Sequence, residues 1–212
     1  MKIIKDNFSM NLSKSFLLSC FFISQCLAQE DVGWTLQKSK DSIDVYSRLS
    51  PNSNYKSIKV ITTFHSTLPA MVGLITDADS HYKWINNCTQ SKLLTAVGDS
   101  NVIFCEYYNL PWPVSDRDVV IQTKIKYNVA KTSVTLTSRG NAGYIPIKDN
   151  VVRIPEFEGS WKLSLQPNGT ISGEYIATVN PGGYLPAWLV NMFVTNGPYD
   201  SFVNMKKILA TQ

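Results

Sequence analysis

The segment LPWPVSDRD, Leu110–Asp118, decides how the rest of this chain is interpreted. It separates two strand-like runs, Asn101–Asn109 and Asp118–Tyr127. Its two prolines fix φ and remove two backbone donors, so the segment connects strands and does not itself lie in a central ladder. We therefore predict a β-hairpin that folds back between Pro111 and Trp112.

Register in this predicted hairpin places two charged residues together. Glu106 stands opposite Arg117, with Phe104 opposite Val119 and Val102 opposite Ile121. Directly opposed residues bring their Cβ atoms within ~5 Å, close enough for a carboxylate–guanidinium pair. Because an enclosed charge without a partner is costly, we predict that Glu106 and Arg117 pair inside the protein. A salt bridge at the rim that only holds the hairpin together is the alternative.

Alternation along the second strand assigns its two faces. Positions two residues apart share a face of a strand. This period predicts an inner face with Val119, Ile121, Thr123 and Ile125 and an outer face with Gln122, Lys124 and Lys126.

Composition is that of one domain with a sizeable core. The chain has 212 residues, of which 44% are hydrophobic and 17% are charged. The net charge is +4, without a basic stripe, so we predict no nucleic-acid partner.

The N-terminus resembles a secretory signal. Lysines precede an apolar run, Phe16–Leu27, and Ala28 supplies a small residue for cleavage. We predict a signal peptide over residues 1–28, a single domain over residues 29–212, and a periplasmic or secreted protein. The run is shorter than the ~20 residues that span a bilayer. Cleavage before Cys20, as in lipoproteins, is a less favoured alternative, and Met10 is an alternative start.

Two cysteines, Cys88 and Cys105, remain after this leader. Folding Cys88–Thr95 back onto the next strand places Cys105 opposite Lys92, not opposite Cys88. We therefore favour two buried free thiols, with a disulfide as the alternative.

The remaining pattern predicts an α+β domain. One helix is expected to begin at Leu68-Pro69, capped by Ser66 or Thr67, with Met71, Leu74 and Ile75 on its apolar face, and a second short helix at Asp77–Trp84. Further strands are expected at Trp34–Gln37, Ile43–Leu49, Tyr55–Phe64, Thr132–Ser138, Phe157–Leu165 and Ile171–Val179.

A closing helix is predicted from Leu185-Pro186 to about Leu209, kinked or divided at Asn196-Gly197-Pro198. Its apolar stripe either packs into an ordinary core or, under a curved sheet, borders a cavity. Periodicity does not distinguish these two outcomes.

Motifs for metal or catalytic chemistry are missing from the sequence. There is no HxxxH, CxxC, glycine-rich phosphate loop or G-x-S-x-G, and the only histidines are His65 and His81. A Cys105–His65 nucleophile pair lacks support. We predict no catalytic residue, no metal and no cofactor.

Three stretches resemble the START lipid-transfer family, with the phosphatidylcholine-transfer type the most similar. They are Pro111–Asp118, Asn180–Asn191 and Asn196-Gly197-Pro198, and the order of elements agrees from about Trp34 onward. The resemblance implies a helix-grip fold, in which a curved antiparallel sheet wraps around a long C-terminal helix and encloses a hydrophobic tunnel. It also implies a monomer that binds one lipid and is not an enzyme.

Candidate ligand-binding residues follow from this placement: Phe104, Glu106, Tyr108, Arg117, Val119, Ile121, Thr123, Phe157, Trp188, Leu189, Met192 and Phe193. The family's choline-caging aromatics fall here at Cys105, Val119 and Phe157, which weakens the case for a cation–π cage. The acid of the sterol-type acid–Arg pair matches Glu106, but its arginine falls at Thr123. The tunnel is thus expected to be largely apolar, and the ligand to be a phospholipid, a sterol or a similar hydrophobe.

Lipid transfer would require a transient membrane surface, and the closing helix is the predicted lid, exposing Trp188, Met192 and Phe193. Two alternatives remain open. One is a helix-grip enzyme of the polyketide cyclase or aromatase type, and the other is a lipid-sensing module that docks a partner protein.

Overall fold

The computed structural model describes residues 33–50, 54–112, 114–192 and 194–211. The predicted leader, residues 1–28, lies outside the described residues, as do Phe193 and the side chain of Met192. Within the described chain, no helix combines the length and apolar character needed to cross a membrane.

Four helical segments are present in the described residues. They are α1, Leu68–Thr76; a 3₁₀ helix, Ala78–Lys83; α2, Ala187–Met192; and α3, Asn196–Leu209. Of the two predicted caps, Thr67 is the one that caps α1, because its Oγ1 accepts from the Ala70 amide at 3.3 Å.

Ten strands complete the described fold. They are β1, Thr35–Lys40; β2, Ile43–Leu49; β3, Lys56–Phe64; β4, Cys88–Val97; β5, Asn101–Tyr108; β6, Arg117–Tyr127; β7, Ser133–Gly140; β8, Val152–Arg153; β9, Glu156–Leu165; and β10, Ile171–Asn180. The two-residue strand β8 was not predicted.

One sheet contains all ten of these strands, in the order β1-β2-β3-β10-β9-β7-β6-β5-β4. Neighbours on this path are antiparallel, whereas β8 lies off it and pairs in parallel with the start of β6. The N-terminal strands thus meet the C-terminal hairpin β9–β10 in the middle of the sheet. The predicted α+β fold, with an antiparallel sheet and a C-terminal helix, is confirmed.

The main core lies where α3 packs on the sheet. Phe202 of α3 stacks on Trp161 of β9, with ring centroids 5.2 Å apart, and on Phe64 of β3 at 6.3 Å. Met205 and Leu209 continue this buried stripe along α3. The predicted amphipathic helix therefore buries its face against the sheet over its second half.

The predicted closing helix is two helices, α2 and α3. Pro198 is the third residue of α3, in the first helical turn, where its missing N–H leaves no intrahelical hydrogen bond unmade. The division at Asn196-Gly197-Pro198 was anticipated from the sequence, and the proline begins a new helix there.

The predicted hairpin register is wrong by two residues. Arg117 lies opposite Tyr108, and Glu106 lies opposite Val119. The connection with its two prolines absorbs the slip, since a longer loop can change register without changing the strands. A shift of two residues keeps every side chain on its predicted face, so Glu106 and Arg117 still point inward.

The burial of β6 agrees with the predicted outer residues Gln122, Lys124 and Lys126, but near its start the strand is buried on both sides. Val119, Ile121 and Thr123 are buried, yet so are Asp118 and Val120 on the opposite side. The segment after β7 covers that side, where Asn141 donates to the Val120 carbonyl at 2.8 Å and β8 pairs with β6. Both faces of β6 are consequently enclosed near its start.

Cys88 and Cys105 are free and buried. Cys105 lies opposite Lys92, as the sequence predicted, while Cys88 lies opposite Tyr108. The favoured interpretation of two buried thiols is confirmed.

Candidate functional site

A cavity of about 360 Å³, partly open at the surface, lies between the sheet and α3. Its volume falls within the ~300–1,000 Å³ range of small-molecule sites. Most of its wall is apolar. The sheet contributes Ile58, Phe104, Glu106, Tyr108, Arg117, Val119, Ile121, Thr123, Ser138, Phe157, Trp161, Tyr175, Ala177 and Val179. Helices and loops contribute Ile75, His81, Trp84, Ile85, Asn86, Asn87, Leu110, Ile154, Pro181, Gly197, Pro198, Ser201 and Phe202.

Most of the predicted ligand-binding residues line this cavity: Phe104, Glu106, Tyr108, Arg117, Val119, Ile121, Thr123 and Phe157. Trp188 does not, since its side chain is 65% exposed on α2, and neither does the half-buried Leu189. Met192 and Phe193 fall among the side chains outside the described residues. Contact of any of these residues with a ligand stays a prediction.

The predicted Glu106–Arg117 pair is not formed. Glu106 instead binds His81 and Tyr108: His81 Nδ1 lies 2.7 Å from Glu106 Oε1, and the Tyr108 hydroxyl donates to Oε2. The other ring nitrogen of His81, Nε2, lies 2.9 Å from the Ile75 carbonyl oxygen. A chain of hydrogen bonds therefore runs from Ile75 on α1 through His81 and Glu106 to Tyr108.

Hydrogen-bond chemistry fixes the protons in this network. A carbonyl oxygen only accepts, so His81 Nε2 carries a proton and donates it to Ile75. The short contact between Nδ1 and Oε1 needs one further proton, on either atom. In both arrangements His81 and Glu106 together carry no net charge.

Aromatic packing encloses the same network. The His81 ring meets the Phe104 ring edge-on at 4.9 Å and the Trp84 ring at 5.5 Å. His81 is 2% exposed and Glu106 is 3% exposed. Burial, and after it the Glu106 carboxylate, raises the pKa of the Tyr108 phenol, so Tyr108 stays a proton donor.

Sequence reasoning missed His81 as a site residue. The predicted segment Asp77–Trp84 placed it on a helix, but its partner Glu106 is 25 positions away in the chain. A signal was available, because a buried charge needs a partner and Glu106 was predicted to be enclosed. Few basic residues of the sequence could lie inside the protein, and His81 is one of them.

Arg117 lines the cavity without a carboxylate partner in the described chain. Its side chain is buried at 3% exposure, Nη1 donates to the Ser115 carbonyl, and Nε has no hydrogen-bond partner. Burial lowers the pKa of Arg117, an effect partly offset by the exposed Asp116 carboxylate and by Tyr55. Nη2 faces Gly183, where an added Cβ would lie 3.7 Å away.

Asp118, the next residue, forms a buried ion pair with Arg153 on the opposite face of β6. Arg153 Nε donates to Asp118 Oδ1 at 2.7 Å and Nη2 donates to Oδ2 at 2.9 Å. Arg153 Nη1 also donates to the Ala142 carbonyl at 2.6 Å and the Ile145 carbonyl at 3.2 Å. This buried pair anchors the segment between β7 and β8 on β6 and gives the cavity wall a fixed support.

Metal binding finds no support in the described part of the chain, where no three potential His, Cys, Asp or Glu ligands come together. The polar groups of the cavity are the His81–Glu106–Tyr108 network, the Arg117 guanidinium and small hydroxyls such as Thr123, whose Oγ1 lies 2.7 Å from Ser138 Oγ. Such a site can surround an apolar molecule and hold one polar group.

Comparison with known proteins gives consistent matches. The model of the START domain matches residues 20–212. An uncharacterized protein of Pseudomonas aeruginosa is 30% identical over 173 residues, covering 82% of this chain and 85% of its own. The phosphatidylcholine transfer protein of Rattus norvegicus is 24% identical over 170 residues, covering 77% of this chain and 78% of its own.

A solved structure agrees with these sequence matches. The STAR-related lipid transfer protein from Xanthomonas axonopodis superimposes with a TM-score of 0.78 and 26% identity, covering 84% of this chain and 99% of the solved fragment. The family model spans nearly all of the sequence, and the resemblance inferred from the proline-rich hairpin and the closing helix is confirmed. This chain belongs to the START domain family.

Proposed function

We propose that this protein binds one lipid in the cavity between the sheet and α3 and transfers it between membranes. The cavity itself carries the proposal: about 360 Å³ of space between the sheet and α3, walled mostly by apolar side chains. Similar proteins named for phosphatidylcholine transfer and lipid transfer support it.

The hydrophobic effect sets how such a protein has to work. Burying a sixteen-carbon chain at ~0.8 kcal/mol per CH₂ stabilises the complex by roughly 13 kcal/mol, as an upper figure. Since each 1.4 kcal/mol is a factor of ten, release of the lipid into water is extremely slow. Exchange therefore takes place where the protein opens against a bilayer.

Exposed aromatic side chains support a membrane-docking surface near the connections that flank the cavity. Trp112 in the β5–β6 connection is 92% exposed, and Trp188 on α2 is 65% exposed. Tryptophan is favoured at the interface between headgroups and acyl chains. We infer that α2 and α3 form the lid, which hinges near Asn196-Gly197-Pro198.

A reversible staple tests this lid. Ser201 Oγ on α3 lies 2.9 Å from the Asn86 amide nitrogen across the cavity wall, so Asn86→Cys with Ser201→Cys places two thiols close together. We expect the oxidised protein, with the bond verified by peptide mass, to stop vesicle-to-vesicle transfer. Reduction of the same sample is the matched control and should restore it. Undiminished transfer by the verified oxidised form would reject the lid.

Native mass spectrometry tests the binding step on its own. Protein purified from its own cells should carry one bound lipid per chain. Protein that is consistently empty, and that takes up none of the lipids offered in vesicles, would reject the proposed function.

An enzyme of the cyclase type is the second candidate, and the His81–Glu106–Tyr108 network is the observation that favours it. Both ring nitrogens of His81 and both oxygens of Glu106 are already engaged. A general base needs a free acceptor within reach of its substrate. Because each of these atoms is already hydrogen-bonded within the protein, the network is better suited to a positioning role than to proton transfer, and this favours the lipid-binding function.

A further inference from the structure

The guanidinium of Arg117 is unusual among the charged groups of this cavity. Its side chain is 3% exposed and borders the cavity. Buried charges are normally paired, and an arginine buried without a carboxylate is destabilising until an anion joins it. A buried polar atom left without a partner, here Nε, therefore points to a group that is bound during function.

The neighbouring polar groups do not neutralise Arg117. Glu106 is already held by His81 and Tyr108, and the His81–Glu106 pair is neutral as a unit. Asp116 lies next in the chain, but its side chain is exposed and screened by water. The described residues therefore place no hydrogen-bonded carboxylate on Arg117, and the exposed Asp116 offsets its charge only in part.

Arg153 shows, within the same protein, what the Nε and Nη2 edge of an arginine can bind. Arg153 uses Nε and Nη2 to grip both oxygens of Asp118 at 2.7 and 2.9 Å. In Arg117 the only hydrogen bond found in the described chain is from Nη1, and the buried Nε has no partner there. The Nε and Nη2 edge matches two oxygens of a carboxylate or a phosphate.

We propose that Arg117 binds the oxyanion of the lipid, so that the protein takes lipids with a phosphate or carboxylate and discriminates against sterols and other uncharged lipids. This inference rests on the proposed function and specifies the ligand class for the same cavity. The hydrocarbon part of the lipid would fill the apolar space bordered by Val119, Ile121 and Phe157, which line the same cavity.

Two lipids of equal chain length, one with a charged and one with an uncharged polar end, provide the test in the wild-type protein. Palmitate and hexadecanol have chains of equal length. At a pH well above the pKa of a carboxyl group, palmitate is ionised and hexadecanol is not. We expect palmitate to bind the delipidated full chain at least about tenfold more tightly than hexadecanol. A charge-assisted hydrogen bond lowers a dissociation constant by more than about tenfold. Phosphatidylglycerol and cholesterol in vesicles form the second pair, which shows whether phosphate serves as well as carboxylate.

Variants assign that preference to Arg117. Arg117→Gln should reduce the palmitate preference to within about twofold, and Arg117→Lys should retain part of it. Arg139→Gln removes the same charge from an exposed side chain on β7 that does not line the cavity, and should leave the preference unchanged. Retention of the full preference by folded Arg117→Gln would overturn the assignment.

The outcomes separate the two proposals. Equal binding of palmitate and hexadecanol by the wild type overturns the oxyanion inference and leaves the lipid-binding function standing, even if Arg117→Gln does not fold. Failure of all four lipids to bind contradicts the proposed function itself.

Discussion

Replacing Glu106 separates hydrogen bonding from charge in the buried network. Glu106→Leu leaves His81 Nδ1 and the Tyr108 hydroxyl without their partner. A buried polar group without a partner costs about 1–3 kcal/mol, so two such groups cost about 2–6 kcal/mol. Tyr108 is only partly buried, which places the expected loss at about 2–4 kcal/mol. A loss of this size is a large share of the ~5–15 kcal/mol typical of a domain.

Glu106→Gln is the matched control. Its carboxamide oxygen accepts from the Tyr108 hydroxyl, and its NH₂ donates to Nδ1 of neutral His81, whose Nε2 keeps its bond to Ile75. Because every hydrogen bond has a neutral equivalent, we expect Glu106→Gln to stay within about 1 kcal/mol of the wild type.

Equilibrium urea denaturation of delipidated protein, at a pH where histidine is neutral, measures both variants. Removing the second partner in Glu106→Leu with Tyr108→Phe should recover part of the lost stability, since one of the unpaired groups is then gone. A difference of less than about 0.5 kcal/mol between Glu106→Leu and Glu106→Gln would show that the hydrogen bonds of Glu106 do not stabilise the fold.

Two further predictions concern the walls of the site. Arg153→Leu leaves Asp118 fully buried and unpaired, so urea denaturation should show a loss of about 3–5 kcal/mol in the free energy of unfolding. Adding Asp118→Leu to this variant should recover stability. An unchanged denaturation midpoint in Arg153→Leu would show that the ion pair does not stabilise the fold. Burial, and after it Glu106, raises the pKa of the Cys88 thiol from 9.0 to about 12. The unfolded chain therefore releases this proton first, and the associated stability is intact below pH 9.0 and is lost as pH rises toward about 12. Over that range the stability of Cys88→Ala should fall less steeply than that of the wild type. Parallel curves of stability against pH would show that the Cys88 thiol does not contribute to the loss.

Much of the fold could be predicted because it depends on local rules. The cap at Thr67, the break at Pro198 and the pairing of Cys105 with Lys92 follow from backbone geometry, helix chemistry and strand spacing. The faces of β5 and β6 were also predictable. A register error of two residues leaves the period-two alternation intact.

The candidate site was predicted only in part, for a reason that particular residues make clear. Phe104, Val119 and Phe157 line the cavity as predicted, because inward-facing positions can be counted along a strand. The burial of Asp118 and Val120 could not be counted in this way, since it depends on a later segment folding over β6.

The sequence alone determined the antiparallel hairpin at Leu110–Asp118, the divided closing helix and the family resemblance, since these depend on proline geometry, strand period and motif order. Only the tertiary structure decided that Glu106 pairs with His81 and that Arg117 is left facing the cavity. The physical reason is that an ion pair depends on distances of a few ångströms between elements far apart in the chain. A two-residue slip preserves a side chain's face but changes which side chains it meets.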